Sequence, residues 1–195
     1  MSHGPVVLRA DDARVAGLLA GGWRVVAESW AAELIAERAE LERLERLVRG
    51  ASAWGEVREI AASDVVAVLA LDAATAGDYP GGVATRHEPL TRERARPTAT
   101  RRAWAIVGGT GEVHAVTYVD VNGTCGETDF TVVARARRGR GLGTAVKAVS
   151  VLALVDEGVE VLRTGGSAEN PASLAANTRL GYRVDERWVT LAPPA

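Results

Sequence analysis

The spacing of apolar positions changes along the chain, and each change marks an element. Asp11 to Leu19 reads as a short helix stopped at Gly21-Gly22. Trp23 to Trp30 reads as a strand. In Ala31 to Arg49, Leu34, Leu41, Leu44 and Leu47 can share one face with charges elsewhere, which predicts a helix. Gly50-Ala51-Ser52-Ala53 reads as a linker, dividing a helix-strand-helix segment, residues 1–50, from a larger unit, residues 55–195.

The larger unit opens with a short strand at Val57 to Ile60. A helix follows through about Ala74, capped by Ser63 or Asp64. Gly77 to Gly82 form a loop, and Thr91 to Arg94 a short helix. Ala103 to Val107 and Val113 to Val121 flank a Gly-rich turn and predict a hairpin; Asn122-Gly123 turns the chain into a third strand, Thr128 to Ala134. Gly141 to Glu157 is a helix apolar on nearly every side, hence buried. A strand at Val159 to Arg163, a helix from Pro171 to Leu180 with proline in its first turn, and a strand from Tyr182 to Leu191 complete the pattern. This order predicts an α/β (α+β) domain with a mixed sheet.

At 195 residues the chain has room for one full domain, or one domain plus a partial unit. A net charge of −2 gives no basic field for nucleic acid. The longest apolar run, Ala148 to Val155, is too short to span a bilayer, so no membrane role is expected. One cysteine, Cys125, excludes an internal disulfide and any multi-cysteine zinc site, and no metal is expected. The free thiol and the absence of a signal-like start point to the cytoplasm. Of 23 basic residues, all but Lys147 are arginine.

The informative segment is Arg138-Gly139-Arg140-Gly141-Leu142-Gly143-Thr144, which follows a strand and opens a helix. Such a junction gathers unpaired backbone N–H groups at the positive end of the helix dipole, and its glycines admit phosphates close to the backbone. The two arginines add bidentate donors. No Walker loop is present, and the glycine spacing does not fit the dinucleotide fingerprint.

The run R-x-x-G-x-G between a strand and a long helix, then a strand, then an Asn-initiated helix ending in Leu180-Gly181-Tyr182, resembles the GNAT superfamily of acyl-CoA N-acyltransferases. The likeness covers about Val57 to Leu191. It implies a mostly antiparallel central sheet flanked by helices. It also implies acetyl-CoA as co-substrate, its pyrophosphate on the main-chain amides of Gly139 to Thr144 with Arg138 beside them. The preceding strand, Thr131, Val132 and Val133, would pair with the pantetheine arm, and Asn170 would contact the pantetheine or acetyl end. Many members carry a tyrosine four residues before the last glycine, to protonate the leaving thiolate; here that position is Asn177.

The resemblance implies direct transfer of an acetyl group to a primary amine of a small molecule. Glu127 and Asp129, on the strand leading to the glycine turn, are the candidate general bases, with His87 and His114 behind them. The loop Asp78-Tyr79-Pro80, with His87 and Glu88, would wall the acceptor site. Cys125 has no base near it in sequence and reads as an inert thiol. The missing tyrosine keeps a non-catalytic acyl-CoA-binding or scaffold protein as the alternative, and a nucleotide-binding module as a third reading. A homodimer stays open. Gly22-Trp23-Arg24-Val25 through Trp30 also echoes Gly181-Tyr182-Arg183-Val184 through Trp188 with one residue inserted. Residues 1–50 can thus be read as the remnant of a second GNAT-like unit.

Overall fold

The computed structural model describes residues 4–78 and 82–194. Eight strands form one sheet: β1 (Val6–Arg9), β2 (Arg24–Ile35), β3 (Glu56–Glu59), β4 (Arg101–Val107), β5 (Val113–Asn122), β6 (Cys125–Val133), β7 (Val161–Ser167) and β8 (Arg183–Ala192). Their order is β1-β8-β2-β7-β6-β5-β4-β3. Every pairing is antiparallel except β6 with β7, which run parallel and share only the rungs Cys125–Val161, Gly126–Leu162 and Glu127–Arg163. The helices are α1 (Ala13–Ala20), α2 (Leu41–Arg49), α3 (Val65–Thr75), α4 (Leu142–Asp156) and α5 (Pro171–Leu180). Among the described residues no helix is long and apolar enough to cross a membrane.

Both faces of the central sheet are covered, so its strands lose the alternation of a half-exposed sheet. In β4, Trp104 and Ile106 enter one core with α4, while Ala103, Ala105 and Val107 enter the other with α3. Helix α4 lies in the first core with Ala145, Val146, Ala148, Val151 and Leu154 all 1% exposed or less. That burial is why its sequence is apolar all round.

Two local expectations fail. The helix expected from Ala31 to Arg49 is strand as far as Ile35, and α2 begins only at Leu41. The run is held extended by ladders on both sides, to β7 and to β8, and Trp30, Ala32 and Leu34 alternate into the core. The helix expected at Thr91–Arg94 is a single turn closed by the Ala95 N–H on the Thr91 carbonyl. Strand β1 has no counterpart in the sequence pattern. The stretch read as a linker contains Ala51, only 2% exposed in the main core.

β1-α1-β2 and β7-α5-β8 are related by a local two-fold axis. α1 and α5 both end in a left-handed glycine, Gly22 at φ 85° and Gly181 at φ 101°. At these ends the Trp23 N–H bonds the Leu18 carbonyl, and the Tyr182 N–H bonds the Asn177 carbonyl. In the β2–β8 ladder Ser29 faces Trp188, and one residue bulges from each strand, Val26 from β2 and Asp185 from β8. All these equivalent positions are separated by the same interval in sequence, so the ladder maps onto itself when the two hairpins are exchanged. The sequence echo matches Trp30 with Trp188; the backbone equivalence instead pairs Trp188 with Ser29.

Candidate active site

Beyond Glu127 and Arg163, β6 and β7 part. Each keeps its outer partner, β5 or β2, and turns an unpaired edge toward the other. The fork opens into a cleft of about 1210 Å³, walled by β6, β7, the starts of α4 and α5, the loop around His87, and Ser29 to Ala31 of β2. An open backbone edge is a template for an extended polar chain.

At one end of the cleft lies the glycine turn. Gly139 and Gly141 have φ of 71° and 78°, and Gly141 precedes α4 without a side-chain cap. Among the described residues, the N–H groups from Gly139 to Thr144 have no protein acceptor; the ladder of α4 starts with Ala145 on Gly141. Six successive amides at a helix start form a nest for an anion. A Cβ on Gly139 or Gly141 would meet nothing within 4 Å, so the approach to the nest is open.

The two arginines part company: Arg138 lines the cleft and Arg140 does not. Arg138 donates to the Val133 carbonyl at 3.1 Å and to Asp78 at 2.5 Å, and Arg135 forks onto the same carboxylate at 2.6 and 2.7 Å. Those bonds hold the Asp78 carboxyl at about 2. Arg140 lies over the Trp54 ring, 4.5 Å from its centroid, and is not part of the cleft wall. The nest therefore rests on backbone amides more than on guanidinium groups.

Thr131, Val132 and Val133 line the fork on β6, as do Leu142, Gly143, Thr144, Asn170 and Asn177. Asn170 caps α5, accepting from the Ser173 N–H at 3.0 Å. Asn177 is 2% exposed and donates to the Ser173 carbonyl, while its Oδ1 has no partner. The other buried side-chain atoms without a partner among the described residues, Trp30 Nε1 and Thr85 Oγ1, also belong to residues of the cleft wall. Buried polar atoms are rarely left unpaired, and their concentration here marks a surface built for a ligand.

Glu127 is exposed at the last shared rung and makes no ion pair among the described residues. Asp129 also lines the cleft, but Arg101 and Arg94 hold it at 2.6 and 3.1 Å. His114 is buried beside Glu112 and is not part of the cleft wall. His87 is: its Nε2 lies 2.6 Å from Asp72 Oδ1, and its ring packs 4.3 Å from Phe130. Asp72 also accepts the Leu90 N–H at 2.9 Å, tying this wall to α3. Tyr79 and Pro80 lie outside the described residues.

Sequence reasoning missed Asp72 and Lys147. Lys147, on α4, is 4% exposed and donates to Thr164 Oγ1 at 2.9 Å, with Nζ 5.1 Å from the centroid of the Tyr182 ring. The signal was present in both cases: a single charged residue inside an otherwise apolar helix. Burial alone lowers the Lys147 ammonium from 10.5 to about 7. Above pH 7 the unfolded chain holds a proton that the folded chain lacks, so stability rises with pH by about 1.4 kcal/mol per unit. This contribution is lost as pH falls toward 7. Urea unfolding at steps from pH 7 to 9, below the tyrosine range, is expected to show this rise, and Lys147→Met to remove it.

No protein-family model matches the chain, and no curated protein matches it. Solved structures do. A GCN5-related N-acetyltransferase from Sphaerobacter thermophilus superimposes with a TM-score of 0.65 at 16% identity over 98% of this chain and 60% of that one. One from Kribbella flavida gives 0.63 at 17% over 98% and 68%. A tandem GNAT protein from the clavulanic acid biosynthesis pathway gives 0.62 at 19% over 96% and 62%. This chain thus spans about three-fifths to two-thirds of the length of these proteins. It has the fold of the GCN5-related N-acetyltransferases, with a mostly antiparallel sheet flanked by helices.

Proposed function

We propose that the protein is an acetyl-CoA-dependent N-acetyltransferase acting on a primary amine of a small molecule. The observation that carries this reading is the fork between β6 and β7 with an amide nest at its end. The nest suits a pyrophosphate, and the open edge of β6 at Thr131 to Val133 suits the two amides of pantetheine. A nucleotide alone would use the nest and leave the edge unpaired. Among arginines that also line the cleft, Glu88 and Glu127 make no ion pair among the described residues and offer a cationic amine two carboxylates.

In this reading Glu127 takes the ammonium proton of the acceptor, directly or through water, a role worth about 10²–10⁴ in rate. The neutral amine attacks the thioester carbonyl, and a backbone N–H on the free edge of β6 stabilises the oxyanion without reorganisation. Asp129 orients Arg94 and Arg101 and takes no proton. Asn177 holds solvent or the arm of the substrate.

We also infer that residues 1–50 are part of a second unit of the same fold, fused onto the sheet of residues 55–195. The duplicated hairpin and its symmetric bulges support this.

The test is ligand stabilisation. Acetyl-CoA at 100 times its dissociation constant is expected to add about 2.7 kcal/mol, read as a rise in Tm, and ATP to add nothing comparable. No shift with millimolar acetyl-CoA overturns the reading. A shift without CoA release across a broad amine panel favours the non-catalytic acyl-CoA-binding alternative.

A further inference from the structure

We propose that Lys147 is the acid of this site: its ammonium stabilises and protonates the CoA sulfur as it leaves. The inference rests on the acetyltransferase reading above and adds the group that the missing tyrosine would otherwise supply.

Position is the first argument. Thr164, which receives the Lys147 bond, is the first residue of β7 beyond the rungs shared with β6. An arm anchored at Gly139 to Thr144 and paired along β6, from Val133 back to Thr131, ends toward that closing point of the fork. Lys147 belongs to the cleft wall, one helical turn beyond Thr144 on the same helix.

The second argument is its lack of a counter-charge. Buried lysines are normally paired. Among the described residues, no carboxylate from β6, β7, α4 or α5 lies within ion-pair distance of Nζ. The titratable group beside it is the phenol of Tyr182, the residue just before β8, which burial pushes upward and keeps neutral. One N–H of the ammonium is used by Thr164, leaving two donors for an anion that is absent from the protein itself. The anion that the reaction creates is the thiolate.

The third argument is the choice of cation. All the other basic residues are arginines, and the exception is the buried one in the cleft. A guanidinium cannot give up its proton, whereas an amine brought to about 7 by burial can, and that proton is held weakly enough to pass to a thiolate of ordinary basicity. The step balances. The acceptor nitrogen forms its bond to carbon as the carbon–sulfur bond breaks, and the electron pair stays on sulfur. The sulfur takes a proton from the Lys147 ammonium, and water returns one to the neutral amine. The ammonium acceptor loses two protons: Glu127 takes the first before attack and passes it to water, then takes the second from nitrogen as the amide forms.

The single lysine makes the test direct and independent of the acceptor. Protein labelled with ¹³C-lysine gives one ε-carbon resonance, titrated with CoA and with desulfo-CoA, which lacks the thiol. The thiol of bound CoA is titrated in parallel by its thiolate absorbance. The expected result is a Lys147 titration raised by CoA but not by desulfo-CoA, with the bound thiol lowered by about one unit or more. In Lys147→Met the bound thiol returns to its ordinary range, and in Lys147→Arg it stays low while the proton transfer is lost. Identical Lys147 titrations with the two ligands overturn the proposal, and this measurement needs no variant to fold. Failure of both ligands to bind would overturn the acetyltransferase reading itself, a result distinct from binding without an effect on Lys147.

Discussion

Gly143→Glu is expected to abolish CoA binding and leave the fold intact. Gly143 is the second residue of α4, and a Cβ built on it meets the Val133 side chain at 3.3 Å. A side chain there therefore grows into the gap between the helix start and the end of β6, where the nest meets the open strand edge. Glutamate fills that gap and brings a negative charge against the phosphates. The same charge is welcome to the helix, because acidic groups near an N-terminus stabilise it by about 0.3–1 kcal/mol. The protein should therefore melt near its normal temperature while affinity falls more than about 100-fold, or roughly 2.7 kcal/mol. Titration calorimetry with CoA decides it. Gly123→Ala is the control: Gly123 turns the chain from β5 to β6, far along the strand from the nest, and should bind CoA normally. Normal binding by both variants would mean that the glycine turn is not the cradle.

Deleting residues 1–35 should destroy the fold. β2 lies between β7 and β8, and β1 is the other neighbour of β8, so the deletion leaves β8 without a partner. It also uncovers Leu162, Leu180, Tyr182 and Leu191, none more than 5% exposed in the full chain. The shortened protein should aggregate or show no cooperative unfolding transition. Trp30→Ala tests the same joint more gently. Its ring is 4% exposed against the Gly166 backbone, and truncation should cost about 3–5 kcal/mol. A soluble, cooperatively folding 36–195 fragment would show that the N-terminal hairpin is dispensable.

Much of this protein was legible in its sequence because the signals were local. The glycine run between a strand and an apolar helix specifies an amide nest wherever it occurs. The proline and glycine at the two ends of α5 fix that helix without outside help. The echo between the two Gly-aromatic-Arg-Val stretches likewise coincides with matching helix ends in the fold, since a left-handed cap needs glycine at each. Other features depended on partners distant in the chain. Ala31 to Ile35 has helical composition and became strand only because β7 and β8 offer ladders on both sides. Arg138 and Arg140 read alike as phosphate ligands, and only Asp78 and Trp54, far away in sequence, set them apart: Arg138 lines the cleft beside Asp78 and Arg140 lies over Trp54. Asp129 became the partner of two arginines for the same reason. Lys147 and Asp72 are lone charges inside apolar helices, a signal the sequence reading passed over, and spacing along a helix says nothing about which cavity a buried charge faces. That was decided where β6 and β7 separate, because only the divergence of two strands opens a cleft beneath which an unpaired ammonium can meet a ligand.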